Sequence, residues 1–443
     1  MNVDIGAGLR GEEVRSSEAL LLDDRIRGVP PGTSAFRASE IASRKWRPVD
    51  GTMSLPVLTL DEATFLHNRD LMLAFTRSAG IEIAPHAKTP MAPDLARSLI
   101  EAGAWGATVA DIRQAAVMLR SGISRLILAN EVGGLGGARR LAALLSNWPQ
   151  ADLFVFADST AAANALATAW SEAVAAPPLQ VLVEIGAGRA GARSHEEAIE
   201  VAKSVLASND RLRLAGVGTY EGSAARETAE ATDAAIEGLL RLTVHLLKDV
   251  RALGGHGPLL VTAGGSIFFD RIIAALKPAV DADGAATLVI RSGAIFFHDH
   301  GVYDRGLAAL DGRHGFLIAG EEREARRAFK PALRVWAEVL SRPEPELAIC
   351  GMGMRDVSFD QGFPTPLKLY RNGAALPAPP TGRVVKLNDQ HAFVALEEGD
   401  DFAVGDVVEF GISHPCTCLD RYRFVFGVDE QGFVRNAFPT FFG

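Results

Sequence analysis

Between residues 80 and 300 the chain alternates short apolar runs with longer stretches of helical periodicity. The runs fall at 81–85, 105–110, 125–130, 153–158, 180–185, 212–220, 259–262 and 287–291. Several are apolar almost throughout, reading RLILAN, LFVFAD and VLVEI, as parallel strands buried on both faces must be. Between them, Ala- and Leu-rich stretches such as 111–120 and 160–175 repeat their apolar positions at helical spacing. Eight strands alternating with helices over about 220 residues predict an α/β chain folded as a (β/α)8 TIM-like barrel. A doubly wound open sheet is the alternative. The absence of a Gly-x-Gly-x-x-Gly turn after the first run speaks against its dinucleotide-binding form.

After Gly301 the pattern changes. Prolines at 343, 345, 364, 366, 377, 379 and 380 interrupt any helix, and β-type runs appear at 333–340, 383–387, 392–396, 407–411 and 422–427. Asp429-Glu-Gln-Gly432 marks a turn between two such runs. The expected organisation is an N-terminal arm over 1–54, partly joining a β domain, a barrel over 55–300, and a second, mainly β domain over 301–443. The run 56–60 suits either the barrel or the β domain. No internal repeat of 20–50 residues is visible.

Composition adds exclusions. A net charge of −9 argues against a nucleic-acid partner, which calls for a basic face. No apolar run approaches the ~18 residues that span a bilayer, and residues 1–34 are polar, without the apolar core of a signal peptide. The three cysteines, Cys350, Cys416 and Cys418, form no disulfide framework and fit a cytoplasmic protein with free thiols.

Barrel enzymes carry their chemistry at the C-terminal ends of the strands. The first run ends in Pro85-His86-Ala87-Lys88-Thr89, the third in Ala129-Asn130-Glu131, and the fifth in Glu184 followed by Gly186-Ala-Gly-Arg189. The sixth ends in Thr219-Tyr220-Glu221-Gly222 and the seventh in Thr262-Ala-Gly-Gly-Ser266. A lysine at a barrel mouth condenses with an aldehyde once burial lowers its pKa. Gly264, Gly265 and Ser266 would offer backbone N–H groups and a helix start to a phosphate. Alone, such a lysine is commonly a surface cation and such a turn only a turn. Together on one rim they suit a phosphorylated aldehyde, pyridoxal 5'-phosphate.

The string Pro85 to Thr89, with Glu101-Ala-Gly-Ala104 and Ile127-Leu-Ala-Asn-Glu-Val132, resembles the D-serine dehydratase / D-threonine aldolase family of fold-type III, alanine racemase-like pyridoxal-phosphate enzymes. The resemblance runs from about Leu55 to the C-terminus. It implies Lys88 as the cofactor-binding and catalytic lysine, and Tyr220 in the cofactor pocket; His86, beside Lys88, either joins that pocket and tunes the site or merely packs. It further implies Gly264, Gly265 and Ser266 at the phosphate, and Arg189, within Gly186–Gly191, near the pyridine ring.

Ser413-His414-Pro415-Cys416-Thr417 is the second distinctive string. In extended chain, residues two apart share a face, so His414 and Cys416 would grip one ion together, and imidazole with thiolate favours zinc. An isolated His-x-Cys is ordinarily just loop. The resemblance gives it weight: D-serine dehydratases use such a pair for zinc, whereas D-threonine aldolases have His-x-Asp there. The Cys416 string and Leu387-Asn-Asp-Gln-His391 further resemble the bacterial amino acid deaminases of this family. Cys418 as a third ligand and His298-Asp299-His300 as a metal cluster are weaker candidates, His391 reads as structural, and Asp111 and Asp158 read as helix caps.

The expectation is a pyridoxal-phosphate- and zinc-dependent dehydratase acting on a small β-hydroxy D-amino acid such as D-serine. The alternatives are a D-threonine-type aldolase, an amino acid racemase, or a non-enzymic cofactor carrier, which the C-terminal β domain disfavours. Related barrels are head-to-tail homodimers, an arrangement that would explain how residue 414 meets residue 88; an approach within one chain is the alternative.

Overall fold

The computed structural model describes residues 20–208, 210–254 and 257–442. The first nineteen residues of the expected arm lie outside them. All eight expected barrel strands form: Glu82–Ile83, Ala107–Val109, Arg125–Leu128, Asp152–Ala157, Leu179–Glu184, Leu212–Gly218, Leu260–Ala263 and Thr287–Ile290. Each pairs in parallel with its sequence neighbour from the second to the eighth, and the eighth pairs with the first. A bridge between His86 and Thr108 and the bond from Trp105 N–H to the Ile83 carbonyl (2.8 Å) join the first strand to the second. The ring is closed.

Side chains alternate across each strand, so every strand feeds two cores. Ala84, Ile127, Phe156, Leu182, Ala215, Leu260 and Val289 fill the barrel interior. The opposite faces pack under the helices. The helices start where polar residues satisfy their free N–H groups. Asp111 accepts from Gln114 N–H at 2.7 Å, and Ser194 forms a capping box with Glu197. At the next such position the expectation needs correcting. Ser159, not Asp158, caps Thr160–Glu172, and Asp158 instead accepts from Gly191 N–H at 3.3 Å in the neighbouring loop.

The run at 56–60 joins the β domain, not the barrel: Val57–Asp61 pairs with Leu333–Glu344 and with Phe424–Val428. The remaining strands of that domain include Leu347–Cys350, Thr365–Arg371, Arg383–Leu387, Ala392–Ala395, Val407–Gly411 and Val434–Pro439. Thr365–Arg371 contains Pro366, and the register shifts beside it, as a ladder needs where one N–H is missing. Residues 20–54 lie on this sheet, with Leu22, Phe36, Ile41 and Trp46 packed against Val57, Trp336 and Phe426.

A short seam positions the site. Asp299, just past the last barrel strand, accepts from Gly301 N–H (2.6 Å) and Tyr303 N–H (3.0 Å), starting the helix Val302–Asp311. His300 N–H donates to the Ile412 carbonyl (2.8 Å) and Val302 N–H to that of Ser413 (3.1 Å). The end of strand Val407–Gly411 is thereby fastened over the barrel mouth, and the next residues are His414 and Cys416.

Candidate active site

The strand ends and the His414 loop enclose a cavity of about 420 Å³, within the ~300–1,000 Å³ of ordinary small-molecule sites. Lys88, His86, Arg189, Tyr220, Gly264, Ser266, His414 and Cys416 all line it. Gly265 sits just behind. Residues 88 and 414 therefore line one cavity within a single chain, the intrachain approach that the sequence leaves open beside the intersubunit one.

Lys88 opens into the cavity. Desolvation lowers its pKa most, opposed by Cys416 and assisted by the charges of Arg189 and Arg291. His86 lies beneath it, its Nδ1 buried without a partner among the described residues. Burial, then the Lys88 and Arg291 charges, hold its pKa well below the ordinary value, so the imidazole is neutral. Arg189 stacks its guanidinium 5.0 Å from the Tyr220 ring centre. Its loop turns sharply because Gly188 and Gly191 adopt φ of +79° and +95°, a region that costs only glycine nothing. Gly264 lets the Tyr220 ring lie close: a Cβ there would come within 2.6 Å of it.

His414 and Cys416 converge by a different route from the one expected. The chain is not extended there; His414 caps the short helix Pro415–Leu419, in which Cys416 lies. Even so, His414 and Cys416 both line the cavity, and Cys416 Sγ is 3.4 Å from Thr89 Oγ1. Asp360 accepts from His414 Nδ1 at 2.6 Å and from Thr417 Oγ1 at 2.6 Å. The thiol, and after it the carboxylate, raise His414 to about 9. Burial opposes ionisation of Cys416, but hydrogen bonds from His414 and Thr89 outweigh it and lower the thiol's pKa. Asp360 on Nδ1 leaves Nε2 and the sulfur as the two donors, and a carboxylate behind an imidazole is the usual support of a ligating histidine. Among the described residues, no group of three or more His, Cys, Asp or Glu converges to hold a metal. A divalent ion on this pair would need water and substrate to fill its shell.

The weaker candidates sit elsewhere. Cys418, in the same short helix as Cys416, is fully buried, and burial raises its thiol to about 12. In the His298-Asp299-His300 turn, Asp299 caps a helix, His298 Nδ1 accepts Asp299 N–H at 2.6 Å, and His300 packs on Gly411. His391 is exposed at a hairpin end.

Four site residues carry no signal in the reading above. Arg291, at the end of the eighth strand, donates to Thr262 Oγ1 (2.8 Å) and the Thr219 carbonyl (2.7 Å). Burial draws its pKa down to about 10, which leaves it charged at neutral pH. The strand-end rule reaches it if applied to that strand. Tyr303, which lines the cavity with Ser266, and Asp360 lie on a helix and a β-domain loop, where no periodicity points to them. Glu221 stands beside Tyr220 at the end of the sixth strand, and only the folded turn reveals its role.

Residues 60–266 match the alanine racemase N-terminal domain family and residues 332–428 the serine dehydratase domain family. D-threonine aldolase of Arthrobacter sp is 25% identical over 346 residues, which cover 78% of this chain and 80% of that protein. D-threo-3-hydroxyaspartate dehydratase of Delftia sp. (strain HT23) is 24% identical over 296 residues, 62% of this chain and 75% of that one. Its solved structures include a cysteine-to-alanine variant in the metal-free form. The crystal structure of D-threonine aldolase from Filomicrobium marinum shares the fold, with TM-score 0.68 at 23% identity over 88% of this chain and 95% of that one.

Proposed function

Because this chain belongs to the fold-type III pyridoxal-phosphate enzymes of the D-serine dehydratase / D-threonine aldolase family, we propose that it is a lyase requiring pyridoxal phosphate and a divalent metal, zinc first. Its reaction is the conversion of a small β-hydroxy D-amino acid, D-serine or D-threonine, to a 2-keto acid and ammonia. The observation that carries this reading is the convergence of His414 and Cys416 on the cavity of Lys88, with Cys416 Sγ 3.4 Å from Thr89 Oγ1.

The residues present fit the cofactor. Lys88 would bind its aldehyde, Tyr220 and His86 would flank its ring, Arg189 would lie near its pyridine edge, and Ser266 would meet its phosphate. When bound, it supplies an electron sink for the carbanion left by α-proton loss. Lys88 Nζ, made less basic by desolvation, is placed to take that proton. His414 Nε2 and Cys416 Sγ would hold the metal, whose Lewis acidity helps the β-hydroxyl leave. Asp360 fixes the imidazole's tautomer and orientation. The β domain, seated over the mouth, limits water access. The homodimer expected from related barrels belongs to the same proposal.

The assay supplies D-serine and D-threonine before and after chelation and follows pyruvate, 2-oxobutyrate, glycine and ammonia. Chelator-sensitive keto acid with equimolar ammonia is the expected result. Glycine and acetaldehyde from D-threonine, with no keto acid, would replace this reading with an aldolase. The likeness to D-threonine aldolase makes that the second reading.

A further inference from the structure

Glu221 is fully buried at the end of the sixth barrel strand. Its two carboxylate oxygens accept from Gly264 N–H at 2.9 Å and from Gly265 N–H at 2.8 Å. These are two of the three amides that the Gly-Gly-Ser turn would otherwise aim at an anion. The turn is held from both sides, since a Cβ on Gly264 would come 2.6 Å from the Tyr220 ring and 3.1 Å from Glu221 Oε2. Buried Arg291, anchored on Thr219 and Thr262, supplies the countercharge. A carboxylate that already saturates both glycine amides leaves them nothing to offer a phosphate. Beyond the turn, Ser266 and Tyr303 both line the cavity.

We infer that Glu221 is a positioning residue that locks the Gly264–Gly265 turn, so that a phosphate at this end of the cavity is taken by Ser266 and Tyr303 and not by the glycine amides. The inference rests on the cofactor reading above. It assigns Glu221 no contact with the reacting atoms. Its effect is confined to the phosphate end.

The test titrates the full-length apo-protein with pyridoxal phosphate and with pyridoxal, which lacks the phosphate, by absorbance and tryptophan fluorescence. Glu221→Ala should weaken pyridoxal phosphate at least about tenfold, the scale of a charge-assisted hydrogen bond, while pyridoxal changes little. Glu221→Gln, which accepts at only one oxygen, should fall between. Ser266→Ala and Tyr303→Phe should show the same phosphate-selective loss, and they decide the matter if the Glu221 variants do not fold. Equal losses for both ligands, no loss, or tighter pyridoxal phosphate binding in Glu221→Ala would overturn the inference while the cofactor reading stands. A wild-type protein that takes up neither ligand would overturn both.

Discussion

Thr89 Oγ1 and Cys416 Sγ lie 3.4 Å apart although 327 positions separate them in sequence. The first belongs to the end of the first barrel strand, the second to the short helix Pro415–Leu419 of the β domain. Their contact depends on the seam at His300 to Val302, whose backbone bonds to Ile412 and Ser413 set the loop over the barrel mouth. The two halves of the site, Lys88 and the His414–Cys416 pair, are thus registered by backbone hydrogen bonds made by the two residues just before His414.

Asp360 is the support of this pair that can be removed most cleanly. Its carboxylate holds His414 Nδ1 and Thr417 Oγ1 and lies outside the cavity lining. Asp360→Ala should lower metal affinity about 10–100-fold, the usual effect of losing a ligand's hydrogen-bond partner. Chelator competition measures it, and the cofactor's visible absorbance should be unchanged. Unaltered metal affinity would show that Asp360 plays no part in ligation.

Exchanging the sulfur donor tests the metal's identity. Thiolate favours zinc among divalent ions, whereas a carboxylate suits manganese and magnesium. Cys416→Asp should therefore move the ion that best restores chelated protein from zinc toward manganese, and Cys416→Ala should bind either weakly. A metal titration reads this directly. An order of metals identical in wild type and Cys416→Asp would remove the thiolate from the site.

The barrel was legible because strands buried on both faces must be apolar, and that leaves a pattern that needs no partner to be seen. Lys88, Tyr220 and Ser266 were legible because strand ends can be counted. The run at 56–60 was ambiguous for the same reason: an apolar segment does not say which sheet it enters, and only pairing with Leu333–Glu344 decides. Glu221 and Asp360 act through bonds to residues 43 and 54 positions away. Such partners are fixed by tertiary packing, on which local periodicity is silent. For His414 and Cys416 the sequence predicts an extended chain, and the folded chain instead places them across a helix start.

Gly301 probes the seam. A Cβ there would come 2.5 Å from the Ser413 carbonyl oxygen and 2.8 Å from its Cα, and backbone cannot swing aside as a side chain can. Gly301→Ala should cost about 1–3 kcal/mol, the range for overpacking. It should also displace His414 and Cys416 relative to Lys88. Thermal unfolding gives the first effect, and metal affinity measured on the still-folded variant gives the second. A variant with wild-type stability and metal affinity would mean the seam yields without disturbing the site.

Glu184 makes stability depend on pH. It is buried at the end of the fifth strand, where desolvation, and then the neighbouring Glu131 carboxyl, raise its pKa from 4.5 to about 9 against the opposing charges of Arg291 and Arg189. Unfolded, the group loses its proton near the lower value; folded, it keeps it to the higher one. The folded chain binds the extra proton between these limits, so the stabilisation is whole below pH 4.5 and lost as pH rises toward 9. The slope within that window is at most about 1.4 kcal/mol per pH unit. Glu184→Gln imitates the protonated carboxyl and cannot ionise. Its melting temperature should therefore overtake the wild type's as pH is raised from 5 to 9, with the two closest at the acid end. Parallel melting curves across that range would show that Glu184 titrates alike in the folded and unfolded chains.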